Sequence, residues 1–166
     1  MPGVIVVLLE FPCNMGRQRH QGGGMKLVKH LLDSKGREII SIVEEASVLD
    51  AIKLMADRAV GSLLVMDGGD LKGIVTERDY ARKVIIKGRS SKSTQVSEIM
   101  TAEVCTANID QTVGDCMGVM TERRIRHLPV VENGEVVGLI SIGDLVQAII
   151  AEQQAEIEHL EQYISG

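Results

Sequence analysis

Two short apolar segments separated by a tight polar turn occur twice along the chain. The first pair, 62–66 and 71–75, flanks Gly68-Gly69, and the second pair, 127–131 and 136–140, flanks Asn133-Gly134. Gly-Gly or Asn-Gly between two apolar runs is a strong indicator of a β-hairpin. The pattern therefore predicts two hairpins.

A helix is predicted before each hairpin and another after it. Ser47 can cap the first helix with Asp50 three residues on, and Thr112 and Asp115 repeat this arrangement. Apolar residues then follow at helical spacing; in the first unit they are Val48, Ile52, Met55 and Ala59. The helices after the hairpins are predicted from about Glu77 and Ile142, and extended stretches at 39–43 and 104–107 precede each unit.

The similarity of the two halves is an internal duplication. Residues 47–86 align without a gap to 112–151 at an offset of 65, and ten of these forty positions are identical. A unit this small buries little surface alone. The predicted fold class is therefore α/β (α+β), with two β-α-β-β-α repeats packed through their sheets around a pseudo-two-fold axis.

Changes in composition along the chain give the predicted domain boundaries. Residues 1–24 contain two prolines and a Gly-Gly-Gly run, which predict a disordered N-terminal extension. Residues 25–95 are assigned to the first repeat with a leading helix, and 96–151 to the second repeat. Residues 152–166 are assigned to a helical C-terminal extension.

Composition excludes several classes of protein. Aromatic residues make up 2% of the chain and the net charge is −5, which argues against nucleic-acid or anionic membrane partners. No run approaches the ~20 apolar residues of a membrane span. The three cysteines, Cys13, Cys105 and Cys116, show no CxxC spacing, and the histidines show no metal-ligand spacing. These features predict a cytoplasmic protein without a metal.

One motif occurs in both repeats and resembles the signature of CBS (cystathionine-β-synthase) domains. The sequences from Gly73 to Asp79 and from Gly138 to Asp144 both read Gly, two apolar residues, Thr or Ser, two further residues and Asp. The segment 126–131, Arg-His-Leu-Pro-Val-Val, is similar to a second hallmark, whereas 61–66 lacks the proline. The chain is thus similar to a stand-alone bacterial-type CBS pair, or Bateman module.

The resemblance implies a ligand sensor rather than an enzyme. Such pairs bind adenine nucleotides in two clefts between the repeats and associate as disc-shaped homodimers. AMP is the first candidate ligand, with NAD(H), ATP and S-adenosylmethionine as alternatives, and no catalytic cofactor is implied. The resemblance also implies that Ser41 and Thr106, at the ends of the leading strands, face the ligand.

The residue types suit an adenylate independently of the resemblance. A helix dipole keeps Asp79 and Asp144 ionised, so that each can accept hydrogen bonds from ribose hydroxyls. Thr76 and Ser141 stand at helix starts, where free backbone N–H groups favour phosphate. The base is predicted to lie against apolar strand residues: Ile42, Leu63 and Leu64 in one site, and Ala107, Leu128 and Pro129 in the other. The alternative interpretation of both Thr/Ser-x-x-Asp motifs is a plain capping box.

Basic residues supply candidate phosphate ligands. Arg78 and Arg82 are four residues apart on one predicted helix face, and Arg126 and His127 precede the strand that would form the floor of the second site. The basic cluster also includes Lys83, Lys87, Arg89 and Lys92. The alternative for such charges is a solvated surface.

The last helix carries a seven-residue spacing in which every position except Gln153 is apolar. Positions 146, 153 and 160 and positions 150, 157 and 164 form a short heptad seam. The seam indicates either a homodimer contact or packing on the same chain. The overall prediction is a signal-transduction module that binds an adenine nucleotide and regulates a downstream protein not identified by the sequence. The alternative function is a ligand-free scaffold for homodimerisation or partner binding.

Overall fold

The computed structural model describes residues 26–166, so the predicted disordered extension at 1–24 lies outside the described residues. A π-helical turn at Ala81–Ile85 continues the short helix Glu77–Tyr80, and a 3-10 turn occupies Val96–Glu98. The helices are α1 (Val28–Lys35), α2 (Val48–Arg58), α3 (Glu77–Tyr80), α4 (Val113–Arg123) and α5 (Ile142–Ser165). The strands are β1 (Ser41–Ile42), β2 (Ser62–Asp67), β3 (Asp70–Thr76), β4 (Ala107–Asn108), β5 (His127–Glu132) and β6 (Glu135–Ser141).

The two repeats form equivalent three-stranded sheets. In each sheet the short leading strand pairs in parallel with the first hairpin strand, and the hairpin strands pair antiparallel. The hairpins share a register irregularity at equivalent places, Val65/Met66 and Val130/Val131. The predicted α+β fold with two β-α-β-β-α repeats is confirmed.

Local capping explains where the helices begin. The backbone N–H of Asp50 donates to Ser47 Oγ at 3.0 Å, and that of Asp115 donates to Thr112 Oγ1 at 3.0 Å. Both helices end at a residue in the left-handed conformation, Ala59 and Arg124. Ala59 was predicted to lie on the apolar face of α2, but it is exposed at the helix end.

The core of each repeat contains a segment from the range assigned to the other repeat. Helix α1 was grouped with the first repeat, yet Val28, Leu31 and Leu32 lie in the core of the second repeat. Val96 and Ile99, at the start of the range assigned to the second repeat, lie in the core of the first. Equivalent backbone hydrogen bonds hold both segments, Val28 N–H to the Gln111 carbonyl and Val96 N–H to the Ala46 carbonyl, each at 2.9 Å. The boundaries of the repeats along the chain stay a prediction. In the packed structure, the repeats exchange segments, since each core takes in residues from the range of the other.

Two glycines make this exchange sterically feasible. A Cβ at Gly138 would lie 2.8 Å from Leu32 Cδ2, and a Cβ at Gly73 would lie 2.8 Å from Met100 Sδ and from the Thr101 carbonyl oxygen. These separations are too short for a real side chain. The glycines of the repeated motif therefore admit the exchanged segments.

The sheet faces away from these cores are also covered. Leu64 is fully buried but belongs to neither helix-side core, and Pro129, the equivalent residue of the second repeat, is buried too. Because neighbouring strand residues point to opposite faces, Leu64 and Pro129 lie on the face opposite Leu63 and Leu128. Burial of these faces agrees with two repeats that pack through their sheets.

Candidate nucleotide site

Asp144 is the centre of a polar cluster at the start of α5. Its Oδ2 accepts hydrogen bonds from the Ser141 backbone N–H at 2.8 Å and from Lys35 Nζ at 2.5 Å. Lys35 also donates to the Leu139 carbonyl at 2.8 Å. Burial raises the pKa of Asp144, but the hydrogen bonds from Lys35 and Ser141 outweigh burial, and the pKa lies below its usual value. The carboxylate is therefore ionised at neutral pH.

Asp79 occupies the equivalent place in the first repeat with a different cation. Its Oδ2 accepts from the backbone N–H and the hydroxyl of Thr76, each at 3.0 Å. Its Oδ1 lies 3.0 Å from Lys83 Nζ, and Lys83 also donates to the Ile99 carbonyl at 2.7 Å. The capping box is thus present in both motifs, and each Asp additionally contacts a lysine that belongs to no motif.

Cationic groups from both repeats gather around His127. Arg78 of the first repeat donates to the Arg124 carbonyl of the second at 3.4 Å. Burial lowers the pKa of His127, and the nearby Asp144 raises it. The positive charges of Lys35, Arg126 and Arg78 lower it further. His127 is therefore neutral at pH 7, with the negative charge of Asp144 and the positive charges of Lys35, Arg126 and Arg78 nearby.

This positive charge has no equivalent in the other half of the molecule. Arg124, Arg126 and His127 correspond at the offset of 65 to Ala59, Gly61 and Ser62, and Arg78 corresponds to Gly143. The duplicated backbone thus carries cationic side chains at only one of two equivalent places. Arg78 and Arg126 therefore favour an anion at this end of the region between the repeats, whereas the cations beside Asp79 in the first repeat are Lys83, Lys87 and Arg89.

The predicted apolar floor divides between two faces of each sheet. Leu63 and Leu128 are buried in the helix-side cores together with Ala107, and Ile42 packs against the first of these cores. Leu64 and Pro129 lie on the opposite face. Because strand residues alternate, Leu63 and Leu64 do not lie against the same ligand, nor do Leu128 and Pro129.

The remaining predicted site residues are on the surface. Ser41, Thr106 and Arg82 are exposed. Arg82 lies in the π-helical turn, and it is Lys83 rather than Arg82 that reaches Asp79. The structure brings Arg78, Arg126 and His127 together, but it does not bring Arg82 to them.

Sequence reasoning missed Lys35 and underrated Lys83. Lys83 could have been found, because it lies four residues after Asp79 on the same helix. Lys35 could not have been found from spacing, since 109 residues separate it from Asp144. Only the packing of α1 on the second repeat brings the two side chains together.

Two cavities lie beside the aspartate-bearing helices. A cavity of about 430 Å³ is lined by Lys83, Lys87, Arg89 and Glu98. A cavity of about 180 Å³ between α1 and α5 is lined in part by Lys35 and Asp144. Small-molecule pockets usually begin near ~300 Å³, so the cavity at Asp144 is smaller than a typical ligand site.

Among residues 26–166 no group of His, Cys, Asp and Glu is arranged to hold a metal ion. In the same part of the chain, no helix combines the length and apolar character that crossing a membrane requires. Cys105 and Cys116 are free thiols, and burial raises the pKa of Cys116 to about 12.

A comparison with protein families decides the affiliation of the chain. The model of the CBS domain matches residues 29–86 and again residues 96–151. The chain belongs to the CBS-domain family. The predicted tandem CBS pair is confirmed, and the regulatory class of the protein follows from it.

Individual relatives agree with this assignment. The mitochondrial CBS domain-containing protein CBSX3 of Arabidopsis thaliana is 39% identical over 159 residues, which cover 90% of this chain and 77% of that protein. A CBS-domain protein from Burkholderia ambifaria MC40-6, named as a signal-transduction protein, is 53% identical with a TM-score of 0.75. The match covers 77% of this chain and 96% of that structure. These names agree with a CBS module without catalysis.

One solved CBS pair was determined with ligands. The CBS domain pair of protein MJ0100, in complex with 5′-methylthioadenosine and S-adenosyl-L-methionine, is 28% identical to this chain with a TM-score of 0.69. The match covers 77% of this chain and 98% of that structure. Both ligands of that protein contain adenosine.

Proposed function

We propose that this CBS pair binds an adenine nucleotide between its repeats and acts, without catalysis, as a regulatory module for a downstream protein. The observation that carries the proposal is the cluster of Arg78, Arg126 and His127 beside the ionised Asp144. A carboxylate accepts hydrogen bonds from ribose hydroxyls, and guanidinium groups bind phosphate with paired N–H donors. Both ligands of MJ0100 contain adenosine, which supports adenine and ribose as parts of the proposed ligand.

AMP is the first candidate ligand, and ATP, NAD(H) and S-adenosylmethionine are the alternatives. Arg78 and Arg126 offer charge for more than one phosphate, so a nucleotide with two or more phosphates suits this cluster at least as well as AMP. The residues proposed to contact the nucleotide are those predicted from the sequence, with one restriction. Among the apolar strand residues only Leu64 and Pro129 are retained, because the others face the helix-side cores. The site at Asp144 is the favoured one because Arg78 of the first repeat and Arg126 of the second lie near His127 there.

A thermal-shift screen tests the proposal. The full chain is melted with AMP, ATP, NADH and S-adenosylmethionine, with GMP as the control for adenine recognition. A ligand at 100 times its dissociation constant adds about 2.7 kcal/mol of stability for each site, or several degrees in a protein of this size. We expect an adenine nucleotide to raise the melting temperature and GMP to raise it less.

Asparagine variants then locate the site. Asp144→Asn and Asp79→Asn keep an oxygen that can accept the capping hydrogen bond but lose the charge. Asp50→Asn and Asp115→Asn make the same change at the third position of α2 and α4, outside the clefts. We expect only the cleft variants to lose the nucleotide-induced shift. No shift with any adenine nucleotide in the wild-type protein would refute the proposed function.

A second role, homodimerisation, is favoured by an exposed apolar stripe along α5. Val146, Ile150, Ile157, Leu160 and Ile164 are between 42% and 84% exposed. They repeat at the spacing of a heptad seam, and a monomer would leave the whole stripe in water. We propose that the stripe contributes to a homodimer, and that the protein acts in the cytoplasm, where Cys105 and Cys116 remain reduced.

A further inference from the structure

We propose that Lys35 is a displaceable plug in the second site: it occupies the acceptor groups that a ribose needs, and nucleotide binding there requires its release. This inference rests on the proposed function. It concerns a residue that belongs to no CBS motif and that reaches the site only because α1 packs on the second repeat.

The hydrogen bonds of Lys35 define what it blocks. Its ammonium group donates to Asp144 Oδ2 at 2.5 Å and to the Leu139 carbonyl at 2.8 Å. A ribose cis-diol binds a carboxylate best through both oxygens, and Asp144 Oδ2 already accepts from Lys35 and from the Ser141 N–H. With both lone pairs of Oδ2 used, a ribose can engage both carboxylate oxygens only after Lys35 leaves.

The first site differs in where its lysine comes from. Asp79 Oδ2 accepts twice from Thr76, and Lys83 contacts Asp79 Oδ1 from the same helix. Lys35 instead reaches Asp144 from α1, across a groove of about 180 Å³ that residues of α1 and α5 line. Only at the second site does the lysine therefore belong to a separate element that can move away from the aspartate.

The position of Lys35 on its helix makes release feasible. Leu32 is fully buried and anchors α1 one turn earlier, whereas Lys35 is the last helical residue and its side chain is 37% exposed. After Gly36 the chain crosses to the first repeat, where the Ile40 carbonyl accepts from Leu64 N–H. The ion pair therefore ties the connection between the two repeats to Asp144 at the start of α5. Its release would loosen residues 36–40 when ligand binds.

Calorimetric titration with adenosine tests the plug. Adenosine has no phosphate, so a direct attraction between Lys35 and the ligand's phosphate cannot mask the effect. All variants carry Asp79→Asn, which confines binding to the second site. Because partly exposed ion pairs contribute up to ~1 kcal/mol, we expect Lys35→Met to tighten adenosine binding about threefold to fivefold. Lys29→Met, an exposed position on the same helix, is the matched control.

Hydrogen exchange of residues 36–40 gives a second readout. Adenosine should accelerate exchange there in the Asp79→Asn protein, and Lys35→Met should show the faster exchange already without ligand. Unchanged or weaker adenosine binding in Lys35→Met, or no binding at all in the Asp79→Asn background, would overturn the plug. The proposed function fails separately, if the wild-type protein itself binds no adenine nucleotide.

Discussion

At the residue scale, the capping residues of the duplicated motif were predictable from the sequence, whereas the side chains that contact the two aspartates were not. Thr76, Asp79, Ser141 and Asp144 could be predicted because capping depends on residues three apart. The partners of the aspartates could not, because Lys35 comes from a helix that packs on the other repeat. Leu63 and Leu64 lie on opposite faces of the sheet because neighbouring strand residues alternate. The predicted base-binding floor placed both against one ligand and so did not take this alternation into account.

His127 gives a pH dependence at this scale. Its pKa is lowered in the folded protein, while the unfolded chain has the usual value near 6.5. As the pH falls through about 6.5, the unfolded state takes up a proton that the folded state does not, so stability decreases. We expect the loss between pH 7.5 and pH 5.5 to be smaller in His127→Gln than in the wild type, by at most about 1.4 kcal/mol.

Urea denaturation at the two pH values measures this difference. The same substitution at the exposed His159 on α5 is the control and should leave the wild-type dependence in place. Equal losses of stability in wild type and His127→Gln would show that burial and the surrounding cations do not hold this imidazole neutral.

At the scale of the elements, the hairpins and helices were predictable and their assignment to a core was not. Turn residues and helical spacing lie within short stretches of sequence, so the bounds of β2 and β3 were predicted to within one residue at each end. The placement of α1 depends instead on contacts between Leu32 and Gly138, which are distant in sequence. Helical periodicity shows which face of α1 is apolar but not which repeat receives it.

Substitution of Gly138 tests the packing of α1. In Gly138→Ala the new Cβ would meet the fully buried Leu32 at 2.8 Å, and overpacking of this kind costs about 1–3 kcal/mol of unfolding free energy. Gly143→Ala is the control, because its nearest neighbour, Ser141 Oγ, is 3.6 Å away. Replacing glycine within α5 should gain up to about 1 kcal/mol.

Denaturant titrations of Gly138→Ala and Gly143→Ala measure these changes in the free energy of unfolding. A double variant, Gly138→Ala with Leu32→Ala, should lose less stability than the sum of the single changes, because the two side chains share one space. Additive losses would show that α1 does not press on the second sheet at this point.

At the scale of the whole molecule, the two sites are unequal although the backbone is duplicated. The cationic cluster occupies one site, the exchanged α1 closes it with Lys35, and α5 extends beyond the repeat to Ser165. In the first repeat the equivalent helix passes into a π-helical turn instead. The offset of 65 therefore predicts the architecture but not the differences between the two proposed sites.

The stripe on α5 gives the prediction for assembly. Ile157→Gln with Leu160→Gln removes apolar side chains from the seam, and we expect it to weaken the dimer measured by analytical ultracentrifugation by at least tenfold, since each buried aliphatic side chain contributes about 1.5–3 kcal/mol. Ala155→Gln with Glu158→Gln changes the same helix away from the seam and should sediment like the wild type. Identical sedimentation of the seam variant would exclude α5 as a dimer contact, and a monomeric wild type would exclude the homodimer itself.

The exchange of segments has a consequence for how the protein is made. A ribosome that has finished the first hairpin has not yet produced Val96 and Ile99, which complete its core, and the core of the second repeat waits for the last helix although α1 emerged first. The core of the first repeat is therefore complete once Ile99 has been made, whereas the core of the second repeat needs α1, made long before it, as well as the start of α5. The two halves are thus unequal during synthesis: the first repeat can fold as its own segment emerges, but a second repeat made without α1 would lack Val28, Leu31 and Leu32 in its core.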